Sequence, residues 1–165
     1  MSLVIFLAYL GACTAAATTG ALFGPGAWYD RLDKPSWTPP NWAFPLAWTA
    51  VYLIIAYAAW RVAVSGADLL PLGLALWSLQ IALNGLWTPT FFGLRRIRSG
   101  LMVLSALWVT VLLTTAAFLA VDGIAGALFV VYLLWLTYAF SLNFEIWRRN
   151  GKGEGEQGAH PQGSA

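Results

Sequence analysis

The chain has 165 residues, 59% hydrophobic and only 10% charged, with a formal net charge of +2 and a mean hydropathy of +0.68. A soluble domain carries about 25% charged residues, so this balance excludes an ordinary soluble enzyme. The basic residues sit beside apolar stretches, where orientation in a membrane accounts for them, and form no surface for nucleic acid.

Apolar runs of about 18 residues or more with at most one charge read as membrane helices. Five occur, at residues 2–23, 44–64, 69–92, 99–121 and 124–147. The predicted fold is all-α, an integral membrane bundle of five transmembrane helices in one domain over residues 1–150. A polar tail at 151–165, which holds the single His160, has no apolar periodicity and is predicted to be disordered.

In the first span Ala12, Ala16 and Gly20 recur at i, i+4 and i+8. That spacing admits a neighbouring helix within the bundle, at a ligand wall or at a dimer face. Residues 10–13 (LGAC) resemble a lipoprotein cleavage site, but no positive n-region precedes them, so the segment reads as a retained helix. Cys13 is the only cysteine, which rules out an intrachain disulfide.

Residues 34–60, KPSWTPPNWAFPLAWTAVYLIIAYAAW, join a Trp/Pro-rich loop to an apolar helix with an aromatic face. Pro35, Pro39 and Pro40 stiffen the loop, because proline fixes φ and lacks an N–H. Trp37, Trp42 and Trp48 are expected around one membrane entrance, as a rigid aromatic lid suited to a flat, apolar ligand. Pro45 falls in the first turn of the second span, where no helix hydrogen bond is lost. Arg61 lies near the end of that span and can snorkel.

The third span places Gln80, Asn84, Trp87 and Thr88 on one face, which must look into the bundle because lipid cannot satisfy an amide. Thr88-Pro89 kinks or finishes it. A basic turn, GLRRIR at 93–98, leads to the fourth span, and Asp122-Gly123 makes a tight turn before the fifth. The fifth offers Trp135, Tyr138, Ala139, Leu142 and Asn143 at helical spacing; the second offers Trp48, Tyr52 and Ile55. Asn84 and Asn143 serve either as interhelical glue or as ligand contacts. Trp28, Trp42, Trp60 and Trp147 fit an interfacial belt, whereas Trp77, Trp108 and Trp135 fall too far inside for one.

No Asp, Glu, Lys or His lies deep in any span. This argues against ion pumping and proton-coupled transport, against acid–base catalysis, and against a metal or an axially ligated haem. Neither catalytic nor metal-binding residues are assigned. With five spans, one side holds Arg61 and the other holds the remaining eight of the nine basic residues. The positive-inside rule then puts the amino terminus outside and the carboxyl terminus in the cytoplasm. In that topology Gly20, Trp48, Asn84, Trp87, Ala139 and Asn143 converge from four helices beneath the Trp/Pro loop. An aromatic pocket with a few polar groups is a usual small-molecule site.

Three motifs, KPSWTPPNWAFPLAW, NGLWTPTFFG and LNFEIWRRN, in five spans and in this order, resemble the translocator protein family, also called tryptophan-rich sensory proteins or peripheral benzodiazepine receptors. The resemblance covers residues 11–150. It implies a five-helix membrane bundle, often a homodimer, that binds porphyrins and, in animal members, cholesterol and benzodiazepine-type ligands. By position Trp48 and Trp135 match the family's porphyrin-associated tryptophans. Asn84 and Trp87 match its pocket-lining pair, and Ala139 a small residue beside the sterol segment. Phe144 stands where the cholesterol motif has Tyr, which points to a bacterial-type member. The expected role is a sensor or regulator of tetrapyrrole metabolism and oxidative stress, with porphyrin as ligand and no required cofactor. Light-dependent porphyrin degradation and carriage of porphyrin or sterol across the membrane are the alternatives.

Overall fold

The computed structural model describes residues 2–67 and 69–151; the tail predicted to be disordered lies almost wholly outside the described residues. The chain folds as helices α1 (Ser2–Leu22), α2 (Ala27–Asp30), α3 (Ala43–Ala63), α4 (Leu70–Thr88), α5 (Ile97–Val121) and α6 (Gly123–Asn150), with a π-helical turn at Pro89–Gly93 after α4. Among the described residues there is no strand.

Among the described residues four helices, α1, α3, α5 and α6, are long and apolar enough to cross a membrane. The expectation of five such helices is met only in part. α4 has the length, at 19 residues, but Pro71, Gln80, Asn84 and two tryptophans lower its hydropathy. The short α2 was not foreseen; it lies inside the segment read as pure loop.

The five long helices close a ring in the order α1, α3, α6, α5, α4 and back to α1. Small residues allow the close approaches. Ala56, Ala58 and Ala59 of α3 are fully buried, and Ala16 of α1 lies against Gly85 of α4. The small-residue face of α1 thus turns into the bundle at Ala16, while Gly20 continues it along a cavity wall. At the α5–α6 turn a side chain on Gly126 would collide with Leu119.

Asp122 starts α6 by accepting the Ala125 N–H at 2.8 Å, a normal N-cap bond. It also takes Arg61 in a forked pair, with Nη2 at 2.7 Å and Nε at 3.1 Å. Arg61 lies over the Tyr57 ring, 5.9 Å from its centroid. The hydrogen-bonded Arg61 guanidinium, helped by the Ala125 N–H, holds the Asp122 carboxyl below its ordinary value.

Polar side chains are paired across the core. Tyr52 Oη donates to Asn84 Oδ1 at 2.7 Å, Asn84 Nδ2 to Tyr132 Oη at 2.9 Å, and Tyr132 Oη to Gln80 Oε1 at 3.2 Å. This chain joins α3, α4 and α6. Trp77 is a core residue whose Nε1 donates to the Ile55 carbonyl at 3.2 Å, and Trp108 Nε1 donates to Thr137 Oγ1 at 2.9 Å. Neither belongs to an interfacial belt.

Candidate functional site

A cavity of about 420 Å³ opens at the end of the bundle where α3 starts and α1, α4 and α6 end. That volume falls in the range of about 300–1,000 Å³ typical of small-molecule sites. α1 contributes the small residues Ala17, Gly20 and Ala21. α3 contributes Phe44, Trp48 and Tyr52, and α6 contributes Ala139, Leu142, Asn143 and Ile146. Asn84, Trp87 and Thr88 come from α4, followed by Phe91 and Phe92 of the π-helical turn.

The π-helical turn follows from Pro89. Proline supplies no N–H to the preceding turn, and the chain widens until Leu94 N–H reaches the Pro89 carbonyl at 2.8 Å. The widening brings Phe91 parallel to Trp87, with ring centroids 5.3 Å apart and planes 18° apart. Sequence reading marked the proline as a kink and did not place these phenylalanines in the wall. The Thr-Pro-x-Phe-Phe run was the available signal.

The α1–α3 loop closes one end through Pro25, Tyr29 and Asn41. Lys34 Nζ fastens it by donating to the Tyr29, Asp30 and Leu32 carbonyls at 2.7, 3.1 and 3.2 Å. The end of α6 clips it from the far side. The Asp33 N–H donates to Asn150 Oδ1 at 3.0 Å, and Asn150 Nδ2 donates to the Asp33 carbonyl at 2.9 Å. The Asn150 side chain thus pairs with a loop residue as a neighbouring strand would. Arg149 adds a 3.3 Å ion pair to Asp33. Burial raises the Tyr29 phenol to about 12.

Six of the eight sequence-predicted residues line this cavity: Trp48, Tyr52, Asn84, Trp87, Ala139 and Asn143. Trp135 and Trp37 are not in its wall. Trp135 stands behind Trp48, edge to face at 6.3 Å, and stacks on Tyr138 at 5.7 Å. Trp37 sits outside, 45% exposed, with its carbonyl accepting Tyr138 Oη at 3.0 Å. Trp42 is 70% exposed. The loop therefore presents Tyr29 and Asn41 to the cavity rather than its tryptophans.

The two asparagines differ. Asn84 has a partner at each end of its amide, Tyr52 and Tyr132. Asn143 is 2% exposed, and among the described residues neither its Oδ1 nor its Nδ2 has a hydrogen-bond partner. Trp87 Nε1 is likewise buried and unpartnered. Among the described residues no set of His, Cys, Asp and Glu is grouped to hold a metal ion.

Apolar helices of spanning length around an aromatic, loop-capped cavity define an integral, multi-pass membrane protein with a small-molecule-sized site. Residues 3–148 match the TspO/MBR family, and the chain belongs to that family. It is 51% identical over 152 residues to Protein CrtK of Rhodobacter capsulatus, covering 91% of this chain and 95% of that one. It is 49% identical over 151 residues to the tryptophan-rich sensory protein of Cereibacter sphaeroides, covering 91% and 94%. The human translocator protein is 35% identical over 128 residues, 74% of this chain and 75% of that one.

Proposed function

We propose that this chain is a five-span membrane protein that holds a flat tetrapyrrole in the cavity beneath the α1–α3 loop and acts as a sensor or regulator. The observation that carries the reading is the cavity wall. Trp48, Trp87, Phe44 and Phe91 give aromatic faces, and the small residues of α1 and Ala139 leave room for a broad ring. Trp48 is the stacking wall, and Trp135 supports it from behind. Asn84 holds the wall by fixing Tyr52 and Tyr132. A relative bearing the name of a sensory protein supports the sensor role.

α4 is the fifth span, its amides facing inward. The amino terminus lies outside and the carboxyl terminus in the cytoplasm. The cavity then opens toward the side that holds Arg31, Lys34, Arg95, Arg96, Arg98, Arg148 and Arg149, where ligand carboxylates find cations. The chain forms a homodimer, and the exposed small residues Ser78 and Ala82 of α4 permit close contact between copies. Light-driven loss of bound porphyrin is the second reading, favoured by the oxidisable indoles of Trp48 and Trp87 in the wall.

Titration of the purified protein with protoporphyrin IX, haem and cholesterol, following tryptophan fluorescence, tests the proposal. Saturable quenching by a tetrapyrrole that is lost on changing Trp48 is expected. No saturable binding of either tetrapyrrole refutes it. Ligand consumption only in light marks the second reading.

A further inference from the structure

We infer that the cavity selects a ligand bearing a neutral secondary cis-lactam, as at the end ring of an open-chain tetrapyrrole, through the Asn143 amide. The inference rests on the proposed tetrapyrrole reading and narrows its ligand class.

The polar inventory of the wall leads there. Tyr52 and Asn84 are committed to each other and to Tyr132. Asn143, a lining residue, carries a donor and an acceptor side by side, buried and, among the described residues, both without partners, and Trp87 Nε1 adds one more donor. An unpaired buried amide is costly, so the site is built for a group that satisfies it. The complement of a primary amide is a donor and an acceptor held cis on one edge. A secondary lactam has this: its N–H meets Asn143 Oδ1 and its carbonyl meets Asn143 Nδ2. The second lone pair of that carbonyl is left for the Trp87 N–H.

Charge excludes the main competitor. Among the described residues lining the cavity there is no Lys, Arg, His, Asp or Glu. A carboxylate taken in here would be buried without a cation and would face Asn143 Oδ1, which is strongly unfavourable. A carboxyl group could use both ends of Asn143 only by staying protonated. A closed porphyrin has no cis donor–acceptor edge, because its N–H groups point to the ring centre and its rim is hydrocarbon apart from the propionates. Opening the macrocycle at one bridge creates two lactam ends. Asn143 and Trp87 are thus the specificity-determining pair, and Trp48 supplies stacking common to both ring types.

The test uses the full-length protein in lipid nanodiscs. The probes are biliverdin, protoporphyrin IX and the dimethyl ester of each, and the proteins are the parent, Asn143→Leu and Trp87→Phe. The parent is expected to bind biliverdin more tightly than protoporphyrin IX. Asn143→Leu loses about tenfold in biliverdin affinity, the size of one lost pair of neutral hydrogen bonds, and little for protoporphyrin IX. Trp87→Phe, which keeps the ring and serves as the variant least disturbing to the fold, shows a smaller loss with the same selectivity. Biliverdin dimethyl ester keeps its affinity and its dependence on Asn143, since the lactams remain. Equal losses for both ring types, or no loss for either, overturn the inference while leaving tetrapyrrole binding intact. Loss of the Asn143 dependence on esterification also overturns it, by assigning the contact to a propionic acid. Failure of the parent to bind any of the four probes removes the tetrapyrrole reading and this inference together.

Discussion

Replacing Tyr132 by Phe tests whether the buried hydrogen-bond chain holds the cavity wall together. Tyr132 is fully buried, and Phe keeps its ring contacts with Phe129 and Trp48 at 5.9 and 6.4 Å. Only the hydroxyl goes, and with it the partner of Asn84 Nδ2 and the partner of Gln80 Oε1. Gln80 Nε2 is unpartnered already, so the variant leaves that amide with no partner at either end. In a soluble core two orphaned groups would cost about 1–3 kcal/mol each. Interhelical hydrogen bonds in membrane proteins are worth less, about 0.6 kcal/mol on average and up to about 1.7, because the dissociated helices find other partners. The membrane scale governs here, and two lost bonds give about 1–2 kcal/mol. Tyr52→Phe removes one bond beside the cavity and costs about 0.6 kcal/mol on the same scale. Unfolding in mixed micelles with increasing dodecyl sulfate, followed by circular dichroism, measures both. A Tyr132→Phe protein as stable as the parent, or one harmed less than Tyr52→Phe, refutes the account of the chain as interhelical glue.

Trp48→Leu is expected to weaken porphyrin binding about three- to tenfold, from one lost aromatic contact. Trp147→Leu leaves affinity unchanged, and equal effects in the titration would misplace the site. Asp122→Asn keeps a cap for α6 and loses the charge that pairs with Arg61. A carboxyl held below its ordinary value stabilises the fold above the unfolded pKa of about 4, and that contribution disappears as the pH drops through the folded value. Thermal scans therefore show the variant less stable than the parent at neutral pH, with the gap closing in acid; a gap that widens in acid contradicts the pairing. Asn150→Ala removes the clip on the loop and speeds ligand release by about fivefold, the equivalent of roughly 1 kcal/mol, in stopped-flow dissociation; an unchanged rate means the loop does not cover the exit. A reporter fused after Asn150 is active in the cytoplasm and silent outside, and the reverse result inverts the topology.

The helices and their ends were legible because apolar run length and flanking Pro, Asp and Gly dictate them directly. The predicted 44–64 and 124–147 segments fall on α3 and α6 to within a few residues. The convergence of Trp48, Asn84, Trp87, Ala139 and Asn143 was legible too, since the up-and-down alternation of successive long helices fixes which ends meet. What stayed hidden depends on side-chain partners. Asn84 and Asn143 are the same residue type on inward faces, yet Tyr132 and Tyr52 take up one and nothing takes up the other. Trp135 and Trp48 share a depth, but Trp48 stands in front. Trp37 was placed in the lid by loop stiffness, whereas its carbonyl is drawn out to Tyr138. Asn150 reads as the last residue of the bundle, and nothing in the sequence marks its side chain as a clip on the Asp33 backbone.

The ring order of the helices also bears on biosynthesis. Chains emerge amino terminus first, so α1, α3, α4 and α5 are in place while the gap between α3 and α5 is still open. α6, made last, fills that gap and brings Tyr132, Ala139, Asn143 and the Asn150 clip in one segment. The cavity therefore lacks one wall until α6 is in place. It is enclosed when α6 docks, and a chain arrested before α6 carries Trp48 and Asn84 without Ala139 and Asn143 opposite them.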